Sequence, residues 1–321
     1  MNNVTALATL AAAGTAFAQS TATISGSISV GVMDTGAAGA TAAVSTLGGG
    51  ANAINIVTVE DLGGGLRGGF DSQMRFNAAT GDRNSSGTGA ALLHGANVYL
   101  SGGFGTVRMG KIIEANNCAF DPWACTGGAG FAAGAPGTIS TLIAAQTIAN
   151  SVSYATPTVN GFSGSYHTSV SARTNERSVM SLNYGKGPLS AQYLQSKNSV
   201  NIAGDVAGAA SITDVAGQGT SVGASYNFGV ARLSAVNAKT ENAAGATTAD
   251  ITAVTASMPM GAYTLLAGYA KDKKRAATAD TKLAIGANYA LSKRTTLGAD
   301  LFKQEQVGGS TGFVVRARHN F

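Results

Sequence analysis

At 321 residues the chain is long enough for two ordinary domains or one large β structure. Charged residues make up 12%, about half the roughly 25% of a soluble domain, and apolar residues 45%; glycine is abundant at 44 and proline scarce at 5, which argues against low-complexity disorder. No run supplies the roughly 20 apolar residues of a spanning helix, so a place in a membrane requires a closed barrel, whose backbone groups are satisfied by neighbouring strands.

The chain opens on an export pattern. ALATLAAAGTAFAQS runs from Ala6 to the small-x-small triplet Ala16-Phe17-Ala18, which predicts a signal peptide over 1–18 and a mature chain from Gln19. A short buried helix is the competing reading, and the first residues, MNN, lack the basic charge that normally precedes such a run.

From Thr21 the apolar residues follow a period of two. ATISGSISVGVM sets Ile24, Ile28, Val30 and Val32 against Thr23, Ser25, Ser27 and Ser29. LRGGFDSQMRF sets Leu66, Phe70, Met74 and Phe76 against Arg67, Asp71, Gln73 and Arg75. SAQYLQS and AYTLLAGYAK alternate less cleanly. The closing GFVVRARHNF puts Phe313, Val315, Ala317, His319 and Phe321 on one face, with Val314, Arg316, Arg318 and Asn320 on the other.

The connections sort by length. Seven tight ones fall at 61–65, 102–105, 156–161, 185–188, 227–229, 258–261 and 291–294. Eight longer ones, rich in Ala, Gly, Asn, Ser and Thr, lie near 34–53, 77–91, 113–148, 171–176, 197–218, 240–249, 272–280 and 303–310. Short and long alternate throughout, which predicts sixteen strands with both chain ends on the short-turn side. Short turns on one rim and long loops on the other is the layout of an outer-membrane barrel.

EDLGGGLRGGF, LSGGFGTVRMGK, LSKRTTLGADL and the closing VVRARHNF resemble, in order and over essentially the whole chain, the trimeric general porins of Gram-negative bacteria, β-proteobacterial type. The resemblance implies an all-β fold: a sixteen-stranded antiparallel transmembrane β-barrel with short periplasmic turns, longer extracellular loops and a third loop (112–149) folded into the lumen. It implies an outer-membrane homotrimer over 19–321, touching lipid and lipopolysaccharide, that passes small ions and solutes. It also implies that Phe321 is the signal read by the outer-membrane assembly machinery. Two departures stand out: INIVTVE lacks the Arg and Trp expected before DLGGGL, and GKII puts Lys111 where the family more often has Arg.

A channel selects by lumen width and by the sign of the lining charge. Charged side chains facing lipid near the midplane cost roughly 2–4 kcal/mol each, so alternation assigns Arg67 and Arg75 (third strand), Arg108 (fifth), Arg232 (eleventh) and Arg316 and Arg318 (sixteenth) to the lumen. With 21 Lys and Arg against 16 Asp and Glu, this predicts an anion preference. The competing reading places some of these arginines at the rims, paired with Asp61, Asp71 or Asp300. In the long third connection Glu114 and Asp121 are the only acids, and the resemblance suggests that they face the arginines across the constriction. Its Gly, Ala and Trp content favours packing against a wall.

Cys118 and Cys125, with six residues between them in that loop, read as a local disulfide in an oxidising compartment. No histidine is near enough to complete a metal site, and no cofactor is expected. A channel tuned to one solute remains open as an alternative. A barrel enzyme would need a nucleophile and a base: His319 falls on the lipid face, while His94 and His167 sit in no recognisable Ser-His-acid pattern. A soluble adhesin conflicts with the sorted loops. The GGG runs are turn chemistry with no helix after them, and no nucleic-acid partner is expected.

Overall fold

A computed structural model describes residues 20–46, 52–82, 93–113, 120–123, 147–170, 177–197, 217–274, 281–304 and 311–321. The signal-peptide reading of 1–18 lies outside them. The N-terminal part holds β1 (Thr21–Asp34), β2 (Ala43–Thr46), β3 (Ala53–Gly63), β4 (Leu66–Arg75), β5 (Gly95–Gly102), β6 (Gly105–Ile113), β7 (Thr147–Ala155) and β8 (Phe162–Ser169). There follow β9 (Ser178–Lys186), β10 (Leu189–Lys197), β11 (Gly217–Asn227), β12 (Arg232–Asn242), β13 (Thr247–Met260), β14 (Tyr263–Asp272), β15 (Thr281–Ala290), β16 (Thr295–Gln304) and β17 (Thr311–Asn320).

Each strand from β3 to β17 pairs antiparallel with the next, and β17 returns to β1, giving a closed barrel of sixteen staves. Closure leaves no sheet edge. The short β2 is an adjunct. It pairs with Val30–Met33 of β1, on the edge that β3 occupies lower down through Thr21–Ser27. Part of the expected loop 34–53 is therefore an upper continuation of the second stave.

The seven expected tight turns all join neighbouring staves at one rim. One expected long connection does not exist as such: β12 and β13 run on to Asn242 and from Thr247, so 240–249 is mostly strand. Asn242 closes that hairpin, its Oδ1 accepting from the amides of Ala244 and Ala246 at 3.0 Å each. Gly245 supplies the positive φ of 77° that the turn requires. A Thr- and Ala-rich stretch reads as loop by composition, yet Thr240 and Thr248 face each other across the pair at 2.8 Å.

Side chains alternate as the two-residue period predicts. Ile24, Ile28, Val32, Leu265, Tyr269, Leu301, Phe313 and Val315 are exposed on the outer surface, an apolar band of the kind that a spanning barrel turns to lipid. Outer-face aromatics gather at the short-turn rim: Phe162 with Tyr184, Tyr226 with Phe228, and Tyr263 with Tyr289, ring centroids 4.6–4.7 Å apart. Amphipathic rings at one level make an interfacial girdle. The buried core lies inside the barrel. Phe120 and Trp123 join Val236, Ala238, Ile251, Leu266, Ala284, Phe302 and Val314 in one apolar cluster.

Candidate functional site

The inner wall has two unlike sectors. Along β3–β6 it is polar and half-open. Arg108, midway along β6, directs Nη1 to Asn97 Oδ1 at 3.0 Å and to Asp71 Oδ2 at 3.4 Å. Its guanidinium lies 5.0 Å from the centroid of the Tyr99 ring. Tyr99 pairs with Gly69, where a Cβ would meet its hydroxyl at 3.0 Å, and reaches across to donate to Thr58 O at 2.8 Å. A glycine is thus required for the tyrosine to lie along the wall beneath the arginine. Both partners of the Arg108–Asp71 pair keep a third or more of their side chains exposed, so water and mobile ions reach them.

Toward the long-loop rim, Arg75 donates from Nε to Gln73 Oε1 at 2.6 Å, and Gln73 in turn donates to Asn55 at 2.8 Å. Arg75, His94 and Lys111 form a basic cluster there, with Lys111 Nζ donating to Leu93 O at 2.9 Å. His94 lies just before β5. Burial first, and then the charges of Arg75 and Lys111, lower its pKa from 6.5 to about 3.

The opposite sector, β11–β17, is closed. Residues 120–123 lie against it. Thr255 Oγ1 donates to Phe120 O at 2.8 Å, and the Phe120 ring covers Gly223, where a Cβ would meet it at 2.6 Å. Trp123, fully buried, donates from Nε1 to Asp300 Oδ1 at 3.1 Å. The other Asp300 oxygen holds Arg316 Nη1, and Arg316 Nη2 reaches Asn288 Oδ1 at 2.6 Å. Lys282 is buried 5.5 Å from the centroid of the Phe302 ring, within electrostatic reach of Asp121.

The residues singled out from sequence therefore divide. Arg316 faces inward as alternation requires, but at 3% exposure it is covered rather than wet. Asp121 is also buried and accepts from its own Trp123 amide at 2.9 Å, so it does not stand open across from the arginines of β4 and β6. Arg67 and Arg232 are exposed at the short-turn ends of β4 and β12, where Arg232 bonds Ser225 at 2.7 Å. Half-buried Arg318 donates to Asn320 at 3.1 Å. Of the acids weighed as partners, Asp71 and Asp300 do pair with arginines, but inside the barrel and not at its rims. Glu114, Cys118 and Cys125 lie outside the described residues.

Tyr99, Asn97, Asn288 and Lys282 were not read from the sequence, because cross-strand register is what brings them to their partners. Inner-face glycines at 223 and 286, in rows otherwise filled by side chains, are the signal that something large lies over them. Register also brings Ser151 Oγ to 2.9 Å from His167 Nε2. That hydroxyl is within 2.8–2.9 Å of the carbonyls of Ile148 and Gly110, and both residues are buried. Among the described residues no group of three metal-ligating side chains forms.

A family model described as Gram-negative porin matches residues 4–308. Outer membrane porin protein 32 of Delftia acidovorans is 30% identical over 320 residues, covering 92% of this chain and 87% of that protein. Among solved structures, the anion-selective porin from Comamonas acidovorans superposes with a TM-score of 0.71 at 24% identity, over 94% of this chain and 100% of that one. A triple mutant of the Rhodopseudomonas blastica porin does so with a TM-score of 0.66 at 15% identity, over 94% and 100%. Sixteen closed staves, an apolar outer face, sorted connections and these likenesses agree: the chain belongs to the Gram-negative porin family, as an integral β-barrel of the outer membrane.

Proposed function

We propose that the barrel is a water-filled path for passive diffusion of small hydrophilic solutes and ions, and that it prefers anions. The observation that carries the preference is Arg108 at mid-height on the open inner sector, flanked along the wall by Arg75 above and Arg67 below. A low-dielectric wall focuses the field of such a column into the water beside it. The name of the Comamonas relative points the same way. Reversal potential across a planar bilayer under a salt gradient tests it: an anion-sided potential is expected, and a cation-sided one overturns the preference. No catalytic step is part of this reading.

Homotrimeric assembly is part of the proposal. The outer faces of β1, β3, β4 and β5 carry Ile24, Ile28, Ile56, Phe70, Val98 and Leu100, with no charge between the rims, which supports the seating of neighbouring copies there. The outer faces of β10, β12, β14 and β16 instead end, toward the long loops, in Lys197, Lys239, Lys271 and Lys303. That lysine row supports contact with phosphorylated lipid headgroups such as those of lipopolysaccharide. Phe321, exposed on the outer surface, fits the role of the residue read by the assembly machinery. Chemical cross-linking of the protein in outer-membrane vesicles tests the trimer.

A further inference from the structure

We infer that Tyr99 is a positioning residue for the anion preference: its ring, with the Asn97 carboxamide, holds Arg108 off Asp71, so that the charge of the arginine acts on the water column instead of being neutralised by its neighbour. This rests on the channel reading above. Arg108 lies directly opposite Tyr99 in the register of β5 and β6, and Asp71 directly opposite Asn97 in that of β4 and β5. The arginine therefore reaches diagonally over β5 toward the carboxylate, with its guanidinium over the tyrosine ring, 5.0 Å from the centroid. Nη1 donates to Asn97 Oδ1 at 3.0 Å but stands 3.4 Å from Asp71 Oδ2. A close charge-assisted bond of this kind spans about 2.7–2.9 Å. The pair is loose, and its members neutralise each other only in part.

Both tethers are themselves fixed. Tyr99 crosses the whole width of β4 to donate to Thr58 O of β3 at 2.8 Å, and Gly69 leaves it the room, since a Cβ there would lie 3.0 Å from the tyrosine hydroxyl oxygen. Asn97 donates from Nδ2 to Asp71 O at 3.4 Å, which turns its own oxygen toward Arg108. Gly110, paired with Asn97 on β6, places no side chain in the path of the arginine. An aromatic face attracts a guanidinium through its quadrupole and carries no net charge, so it orients the cation without cancelling it. Other N–H groups of the guanidinium stay available to acceptors, fixed or passing. Without the ring the same side chain can close on Asp71. The field of a close pair of opposite charges falls off with distance far faster than that of a single charge, so little of it would reach the lumen.

The test measures reversal potential under a salt gradient for wild type, Tyr99→Leu, Tyr99→Phe, Asp71→Asn and the double variant Tyr99→Leu with Asp71→Asn. Each is first shown to keep the folded barrel by its resistance to SDS before heating. Tyr99→Leu is expected to lower the anion-to-cation permeability ratio about threefold, and Tyr99→Phe, which keeps the ring, far less. Asp71→Asn is expected to raise the ratio, and by a larger factor in the Tyr99→Leu background, where it releases an arginine that has closed on the carboxylate. Equal factors in the two backgrounds mean that Arg108 has not moved, and overturn the proposal. A Tyr99→Leu ratio equal to that of wild type overturns it as well, as does a Tyr99→Phe ratio as low as that of Tyr99→Leu. Should Tyr99→Leu not fold, Asn97→Ala removes the other tether and takes its place in the same comparison with Asp71→Asn. A cation-sided potential, or no conductance, from wild type sinks the channel reading instead, whatever the variants do.

Discussion

The inner walls of β3–β6 and β11–β17 are built on the same alternation and end in opposite states. In the first, each charged group keeps contact with water and has partners of middling quality, as with Arg108 between Asp71, Asn97 and a tyrosine face. In the second, a comparable Arg–Asp pair is sealed under Trp123, and Val236, Ile251, Phe302 and Val314 pack around it as in a soluble core. Facing inward is therefore not the same as facing water. What separates the sectors is the presence of residues 120–123 over one of them, and the glycines that receive those residues.

The contrast breaks most visibly where packing is densest. Phe302→Ala, on the sealed sector, is expected to lower stability by about 3–5 kcal/mol, the usual loss for a buried aromatic. Urea unfolding of the refolded barrel measures it, and a loss no larger than that of a lumen substitution such as Gln73→Ala would show that the sector is not packed as a core. Next comes the outer face. Val315→Arg places a cation toward lipid near mid-strand and is expected to cost about 2–4 kcal/mol, read in the same titration. On the open sector the effect moves from stability to transport. Arg108→Glu is expected to lower the anion-to-cation permeability ratio roughly tenfold while leaving unfolding nearly unchanged.

The smallest effect concerns pH. The folded His94 pKa of about 3 lies below its ordinary 6.5, so between these values the unfolded chain takes up a proton that the folded one refuses. Stability from this group is fully present above about 6.5, declines as pH falls, and levels off once pH passes below about 3. His94→Gln is expected to flatten that part of the stability-against-pH curve; a curve of the same slope in both proteins would remove the basic cluster of Arg75, His94 and Lys111 as its cause.

How much of this was legible beforehand follows from range. The strand count, the outward set and the inward set depend on neighbours one or two residues apart, and the ordering of tight turns depends on local Gly and Pro chemistry; both were readable. The 243–246 hairpin was not, because Thr- and Ala-rich strand and Thr- and Ala-rich loop share a composition, and pairing with the neighbouring stave decides between them. The contact of Trp123 with Asp300, and of Asp300 with Arg316, was least readable. Trp123 and Asp300 stand 177 residues apart, and only the register of β15 against β16 and β17 brings Gly286, Asp300 and Arg316 to one spot. Wall-packing of the loop could be anticipated from its apolar content, but which inward charges it would cover could not.

The seam between β1 and β17 has a consequence for how the molecule comes into being. Gly26 and Phe321 exchange both backbone hydrogen bonds at 3.0 Å, and the Phe321 ring lies beside the Cα of Gly26. Every other junction of the ring joins strands consecutive among the staves, whereas this one joins the two ends of the chain. Closing so wide a loop carries the largest entropic cost of any pairing in the fold, so it falls at the end of the assembly sequence. Until that seam forms, β1 and β17 are two open edges whose amides and carbonyls no lipid can satisfy. The barrel is thus completed at the seam of its first and last staves, and a chain stalled before that seam closes is held in the state most prone to pair with a stranger.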